Sequence, residues 1–418
     1  MSDPIEPAAL HPSDYRRSRL FIASCIALIA TAMSFAIRGD IIGVLGTHFS
    51  LNKEELGLAA GAWAYGFTLS ILVGGQLVDI LGMRRILALA FLAHVAGVAL
   101  TIFANGFWML FMGTACIGLG NGLVEAAVNP LTATIYPDQK TEKLNLLHVW
   151  FPGGIVIGGL LAYSMTALGL GWKIKMCLIL APTLVYGLMF LGQKFPATER
   201  VQHGVSTGKM YREVLRPLFV LFVFCMMLTA STELATNQWI ANILSTTAGL
   251  DAGGILILVW INGLMAVGRW FAGPIVRRFS PVGLLIGSAF FSIIGLLALS
   301  AANSPLTAAM AATLFAIGVC YFWPTMLGVT AERFPSGGAL ALAIVGGVGT
   351  LSVAIFTWIV GGVYDAAGPR LALRYMTVLP LALVIIFSCI WLYDRTKGGY
   401  KAVALDTRAE TEESSRFV

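Results

Sequence analysis

Apolar stretches long enough to cross a lipid bilayer recur along the chain from Leu20 to Tyr393, with only short polar interruptions between them. A transmembrane helix needs about 20 mostly apolar residues, because it must cross about 30 Å of hydrocarbon. The pattern therefore predicts an all-α membrane protein of about twelve transmembrane helices. The predicted spans are 20–46, 55–80, 85–105, 107–136, 144–169, 174–193, 216–246, 252–276, 281–301, 305–332, 338–363 and 371–394.

Composition supports a membrane protein and argues against a soluble one. Hydrophobic residues make up 58% of the 418 positions and charged residues 11%, whereas soluble domains carry about 25% charged residues. Residues 1–19 hold Pro, Asp and Glu before a basic cluster, so no cleaved signal peptide is expected. The lipid bilayer is the expected partner of these surfaces.

The basic residues are distributed unevenly between the two predicted sides of the membrane. Of the 27 Lys and Arg, 20 lie on the side of the termini, five lie on the other side, and Arg38 and Arg269 lie inside spans. The positive-inside rule then places both termini in the cytoplasm, as in a multi-pass protein of a bacterial inner membrane. Membrane topology accounts for the net charge of +6, and no nucleic-acid partner is expected.

The chain also predicts an internal repeat of two six-helix bundles. Shifting the sequence by about 198 positions pairs glycines and prolines of the two halves: Gly75 with Gly273, Gly120 with Gly318, and Pro137 with Pro335. Repeats of this kind place the binding site near the membrane midplane, between the halves. The predicted parts are a cytoplasmic tail (1–19), a first bundle (20–193), a cytoplasmic linker (194–215), a second bundle (216–394) and a second cytoplasmic tail (395–418).

A charged loop between the second and third predicted helices fills the pattern GxLxDxxGx(R/K)(R/K). This loop resembles the signature of the major facilitator superfamily, which implies a role in conformational switching without substrate contact. A degraded copy, which includes Arg269, occurs in the second half. The candidate gating residues are Gly75, Asp79, Gly82, Arg84, Arg85 and Arg269.

A second motif lies in the fourth predicted helix, where a glycine-rich run precedes Glu125 and the pair Asn129-Pro130. A carboxylate at this depth is costly in lipid and is therefore a functional candidate. Together with Pro137 and Leu144-Asn145, the stretch closely resembles the fucose, galactose and glucose proton symporters of the same superfamily. The resemblance implies import of a hexose or deoxyhexose with a cation, H⁺ being the expected one, by alternating access.

The resemblance assigns roles to individual positions of this chain. The acidic positions of that family fall on Asp40 and Glu125, which are the predicted proton-coupling residues. Where fucose transporters carry Gln and Asn early in the fifth helix, this chain has His148 and Phe151, so the identity of the sugar does not carry over. The predicted substrate-binding residues are Glu233, Asn237, Gln238, Trp239, Asn129, His148, Trp150, Trp323 and Arg38.

Other interpretations of these residues remain open. Glu125 and Glu233 also fit structural pairing inside a bundle, Asp40 and Arg38 also fit an external vestibule, and any single Trp also fits packing. Na⁺-coupled sugar symport, proton-driven export of amphipathic compounds, and a sugar sensor on a transporter fold are the alternative functions. The chain is expected to act as a monomer, not as an enzyme, and without cofactor or metal, since the six cysteines fall singly in apolar stretches.

Overall fold

The computed structural model describes residues 15–249 and 254–405, and the regular structure in these ranges is helical. The two predicted tails lie partly outside the described residues, and so does the first part of the predicted span 252–276. Within the described ranges, eleven helices are long and apolar enough to cross a membrane. A twelfth span forms if two helices bent by 63° are counted as one. The fold prediction is therefore confirmed.

The helices are numbered here by span, and a broken span takes the letters a and b. The first half comprises α1 (Arg17–His48), α2 (Lys53–Leu81), α3 (Met83–Ile102), α4 (Phe107–Ile135), α5a (Lys140–Leu147), α5b (Trp150–Ala167), α6a (Trp172–Cys177) and α6b (Leu180–Phe190). Two short helices, Glu199–Gln202 and Thr207–Val214, lie in the linker.

The second half begins after the linker. Its spans are α7a (Pro217–Ala230), a π-helical turn (Ser231–Ala235), α7b (Thr236–Ala248), α8a (Gly254–Trp270), α8b (Ala272–Phe279), α9 (Pro281–Ala301), α10a (Pro305–Val319), α10b (Phe322–Arg333), α11 (Gly338–Ala367), α12a (Pro369–Met376) and α12b (Val378–Thr396).

Several spans that the sequence predicts as continuous helices are broken near a proline, and α5 and α10 are two of them. The break in α5 lies four residues before Pro152, and the break in α10 lies four residues before Pro324. Proline has no backbone N–H, so it cannot bond the carbonyl four residues earlier, and its ring clashes there. The carbonyls of His148 and Cys320 are thereby released from the helical ladder.

The sequence repeat is visible as the same local structure in both halves. Pro137 begins a 3₁₀ turn (Pro137–Gln139) immediately before α5a, and Pro335 begins another (Pro335–Gly337) immediately before α11. These prolines are the pair that the shift of about 198 positions aligns. A fixed φ suits proline to the first position of a helical turn.

Helices of each half pack chiefly with one another, and a few helices join the halves. In the first half, α4 packs against α2 and α3, and α1 packs against α5b and α6b. In the second half, α9 packs against α10a and α12b, and α7a packs against α11. The halves meet through α2 with α11, α5b with α8a, and α5a with α10b.

The end of the molecule that carries the linker is closed. The linker-side helices α5a and α10b touch so closely that a Cβ on Gly328 would lie 2.6 Å from the Thr141 Cα. Nearby, Arg277 on α8b donates to Glu142 at 2.5 Å, and Lys140 donates to Glu199 of the linker at 2.6 Å. The two halves are therefore in direct contact on the linker side.

Gly75 is the gating-motif residue at the contact between α2 and α11. A Cβ on Gly75 would lie 2.1 Å from the Ala343 Cβ, so Gly75→Ala must push the two helices apart. Overpacking of this kind costs about 1–3 kcal/mol. We therefore expect the closed state to be depleted and the transport that the family resemblance implies to slow, measured as exchange of labelled substrate. The matched control is Gly61→Ala on the same helix, where a Cβ meets nothing within 4 Å. Equal exchange rates in the two variants would contradict this expectation.

The charge distribution also predicts the side on which the linker lies. Ser206 is exposed and caps the second linker helix. A cysteine at this position is expected to be protected from an impermeant thiol reagent in intact cells and labelled after permeabilisation. The exposed Cys177 and Cys389 are first replaced by Ser. Rapid labelling in intact cells would reverse the predicted orientation.

Candidate functional site

A buried polar network joins α4 to the break in α5. Asn129 Nδ2 donates to Glu125 Oε2 at 2.6 Å, and His148 Nε2 lies 3.0 Å from Asn129 Oδ1 and 3.9 Å from Glu125 Oε2. Since Asn129 donates through its nitrogen to Glu125, its oxygen must accept, and His148 therefore donates through Nε2. All three residues are at most 3% exposed. The structure thus brings together three residues that the sequence proposed separately.

Arg269 lies in the same region and is bound from three directions. Its Nη2 donates to Glu233 Oε1 at 2.9 Å, its Nε to the carbonyl of Cys320 at 2.6 Å, and its Nη1 to the carbonyl of His148 at 3.1 Å. These carbonyls are the two that Pro152 and Pro324 release from their helices. Arg269 therefore compensates both breaks and connects α8a with α5 of the other half.

This position differs from the one that the sequence suggested for Arg269. The residue was grouped with a degraded copy of the charged loop, but it lies in the buried centre at 1% exposed, away from the exposed Arg277 and Arg278. Helix α8 bends after Trp270, so the part that carries Arg269 and the part that carries the two loop arginines diverge by 63°. The structure places Arg269 with the binding candidates.

The opposite wall of the centre is the π-helical turn of α7, Ser231–Ala235, which contains Glu233. Such turns interrupt an α-helix and are frequent at functional sites. Glu233 Oε2, Thr236 Oγ1 and Asn237 Oδ1 are buried oxygens that have no hydrogen-bond partner among the described residues. A buried polar atom without a partner costs about 1–3 kcal/mol, so this wall is suited to a ligand rich in hydroxyl groups.

Asp40, the other predicted coupling residue, is not part of this network. Its Oδ2 accepts a hydrogen bond of 2.5 Å from Lys175 Nζ, which also donates to Thr166. Lys175 is nearly buried, with 7% of its side chain exposed, whereas 29% of the Asp40 side chain is exposed. Asp40 therefore forms an ion pair between α1 and α6 in the first half. Sequence reasoning missed Lys175, because this residue was counted among the five basic residues on the side of the membrane away from the termini.

Arg38 lies among aromatic rings and forms no ion pair with a described residue. Its guanidinium is 5.2 Å from the ring centres of both Phe35 and Trp63, and Phe35 packs edge-on against Phe151. Arg38 Nη1 is buried without a hydrogen-bond partner in the described part of the chain. The three half-buried rings provide an apolar surface beside a cation, contributed by α1, α2 and α5b.

The predicted tryptophans and Gln238 are placed differently from one another. Trp239 donates through Nε1 to the carbonyl of Thr357 and stacks on Tyr364, so it packs against α11. Trp150 lies edge-on to Trp270 at 6.5 Å, at the contact of α5b with α8a. Trp323 is buried, and Gln238 is exposed. Packing therefore accounts for Trp239 and Trp323 in this state.

The charged loop contacts the linker. Asp79 accepts from Arg200 Nε at 2.8 Å and from Thr198 Oγ1 at 2.5 Å. Arg84 and Arg85 are exposed, and Gly82 adopts a φ of +80°, which favours glycine. Asp79 thus binds the linker to the end of α2 and does not pair with Arg84 or Arg85 of its own loop.

A further polar chain crosses the first half, and sequence reasoning did not detect it. Asn121 donates to Ser34 at 3.0 Å and lies 2.8 Å from His94 Nε2, while His94 Nδ1 lies 3.0 Å from the Tyr186 hydroxyl. The chain connects α1, α4, α3 and α6b, one turn before Glu125. The one sequence signal that could have indicated this chain of hydrogen bonds is that its members are polar residues inside apolar spans.

Comparison with known proteins agrees with this architecture. The chain is 24% identical over 380 residues to the sodium-dependent glucose transporter 1A of Mus musculus, covering 78% of this chain and 88% of that protein. It is 25% identical over 216 residues to the myo-inositol transporter 1 of Candida albicans, which covers 50% of this chain but only 39% of that protein. The structure matches that of the E. coli fucose:proton symporter with a TM-score of 0.73 at 18% identity, covering 88% and 98% of the two chains. The sequence pattern of the Major Facilitator Superfamily matches residues 20–321, and the chain belongs to that family.

Proposed function

We propose that this protein is a secondary active transporter that moves a monosaccharide together with a cation by alternating access. The proposed cation is a proton. The observation that carries the proposal is the buried centre between the halves. There, the network of Glu125, Asn129 and His148 in one half is connected through Arg269 to Glu233 in the other half. Relatives named as glucose and inositol transporters, and a structural match to a fucose:proton symporter, support a sugar as the substrate.

The candidate residues include the two kinds of surface that sugar recognition requires. Amide and carboxylate groups such as Asn129, Asn237 and Glu233 provide directed hydrogen bonds to hydroxyls. The rings of Phe35, Trp63 and Phe151 offer flat apolar faces, against which the C–H face of a sugar ring can pack. We infer that these residues, with Arg38 and His148, form the sugar site, and that Trp239 and Trp323 support it from behind.

Glu125 is the proposed proton carrier of the centre. An ionised carboxylate that is buried without a cation costs several kcal/mol. The buried cation of this centre, Arg269, is bound to Glu233 in this state. A protonated Glu125 therefore suits the closed arrangement, and exchange of its proton with water requires the centre to open. Asp40 is the second proposed coupling residue, at the end of the first half that faces away from the linker.

The orientation of the protein in the membrane and the direction of transport are also proposals. The charge distribution favours a bacterial inner membrane with the linker in the cytoplasm. Because the linker side is closed in this structure, the site is proposed to open toward the outside, which suits import. The protein is proposed to work as a monomer, since each chain contains both halves of the site.

The test is transport by the purified protein in proteoliposomes. Labelled D-glucose, D-galactose, L-fucose, D-xylose and myo-inositol are offered under a pH gradient and, separately, under a Na⁺ gradient at constant pH. We expect counterflow of at least one of them and accumulation under the pH gradient. Accumulation only under the Na⁺ gradient would identify a Na⁺ symporter. Extrusion of amphipathic dyes without sugar counterflow would identify an exporter and refute the proposal.

A further inference from the structure

Arg38 is a basic residue inside a membrane span to which the described part of the chain supplies no carboxylate. The other basic residue inside a predicted span, Arg269, is bound to Glu233. Lys175, which is nearly buried, is bound to Asp40. Arg38 Nη1 is buried, and no described residue accepts a hydrogen bond from it. Because a guanidinium is always charged, the first half holds a positive charge here that no described residue neutralises.

The aromatic rings beside Arg38 compensate this charge only in part. Its guanidinium lies 5.2 Å from the ring centres of Phe35 and Trp63. A contact between a cation and a ring stabilises the cation much less than burial without a counter-charge destabilises it. Arg38 as a whole is half-buried, so a ligand can reach the guanidinium. The site therefore favours a negative group that comes from outside the chain.

Arg38 also lines a small cavity inside the first half, between α1, α3, α4 and α6a. The volume of the cavity is about 10 Å³, close to the space that one water molecule requires. Thr114 lines it with a hydroxyl that bonds no described residue, whereas the Ser34 and Thr101 hydroxyls already donate to carbonyls. A water molecule would accept a hydrogen bond here but leave the charge uncompensated. A small anionic group would do both.

We propose that Arg38 and Thr114 form a site for one monovalent anionic group, which accepts hydrogen bonds from the guanidinium and from the hydroxyl. Hydrogen bonds between charged groups are the strong ones in proteins. Two sources can supply the group: a free chloride ion, or the carboxylate of an anionic sugar whose ring packs against Phe35, Trp63 and Phe151. The second source rests on the function proposed above, and the first source does not.

Thermal unfolding of the full-length protein in detergent tests the site without transport. A ligand that binds the folded state raises the unfolding temperature as its concentration exceeds the dissociation constant. One arm compares sodium chloride with sodium isethionate, a bulky sulfonate, at equal ionic strength. The other arm adds D-glucuronate, or D-glucose as its neutral counterpart, to the isethionate buffer. Stabilisation by chloride identifies a free anion, and stabilisation by glucuronate but not by glucose identifies a substrate carboxylate.

Variants of the two residues separate an anion site from a purely structural role. Arg38→Met removes the charge, so the stabilisation by the anion should vanish. In isethionate alone, this variant should unfold at a higher temperature than the wild type, because it removes a charge that has no partner. A residue that only packs would give the opposite change. Thr114→Val removes one hydroxyl and should weaken binding of the anion about tenfold.

The control is Arg370→Met, which removes an exposed cation near the start of α12a and should respond to anions as the wild type does. Equal unfolding temperatures of the wild type in chloride, glucuronate and isethionate would overturn the proposal. A response that Arg38→Met retains would also overturn it, and if that variant does not fold, an unchanged response of Thr114→Val would do so. Failure of the proteoliposome panel would instead refute the proposed function, because unfolding needs no transport.

Discussion

Glu125→Gln is expected to abolish concentrative uptake of sugar while exchange of labelled for unlabelled sugar continues. Glutamine imitates the protonated carboxyl, and its amide oxygen can still accept the hydrogen bond that Asn129 donates at 2.6 Å in the native protein. The variant should therefore reorient with sugar bound but gain nothing from a pH gradient. One pH unit supplies about 1.4 kcal/mol per proton, which corresponds to about tenfold accumulation at a stoichiometry of one.

Paired measurements in proteoliposomes decide this prediction. Counterflow at equal pH measures exchange, and uptake under an imposed pH gradient measures coupling, each with the sugar that the wild-type protein exchanges. Asp138→Asn, an exposed carboxylate in the 3₁₀ turn before α5a, is the control and should accumulate sugar as the wild type does. If Glu125→Gln still concentrates sugar, Glu125 is not the coupling residue, and Asp40 and Glu233 become the candidates.

Asp40→Asn is expected to destabilise the protein much more than Lys175→Met. Removing one partner from a buried ion pair costs about 3–5 kcal/mol when the charge left behind is buried. Here the two partners differ, because Lys175 is nearly buried and Asp40 is partly hydrated. The double variant Asp40→Asn/Lys175→Met leaves no buried charge and should recover most of the lost stability, which thermal unfolding of the purified protein in detergent would measure.

The double variant also tests the coupling role of Asp40 without the loss of stability. If Asp40 carries a coupled proton, the stable double variant should exchange sugar and fail to accumulate it under a pH gradient. Full accumulation by the double variant would show that Asp40 serves only in the ion pair with Lys175 and does not carry a coupled proton. Equal destabilisation by the two single variants would show that the burial of Lys175 does not control the energy of the pair.

The order and number of the spans could be predicted from the sequence because lipid imposes a simple rule. Every backbone polar group in the hydrocarbon must be bonded internally, so long apolar stretches become helices whatever their neighbours are. The same reasoning found Glu125, since a lone carboxylate in such a stretch is conspicuous. It also found the repeat, and Pro137 and Pro335 mark it in the structure as equivalent turns.

Contacts between distant parts of the chain could not be predicted in this way. Lys175 is 135 positions from Asp40, and its charge reads as that of a loop residue until α1 and α6a are packed together. Trp239 follows a polar cluster, yet its indole points to α11. In both residues the direction of a long side chain decides its role, and this direction depends on the partner helix.

Arg269 shows most clearly what the sequence determined and what the tertiary structure determined. The sequence by itself determined that a guanidinium lies within an apolar span and that Pro152 and Pro324 occur within two others. Only the tertiary structure decided that the two carbonyls released by these prolines, four residues before each, converge on that one guanidinium beside Glu233. The physical reason is that a broken helix must bond its carbonyls elsewhere, and the packing of three helices from two halves determines which donor is within reach.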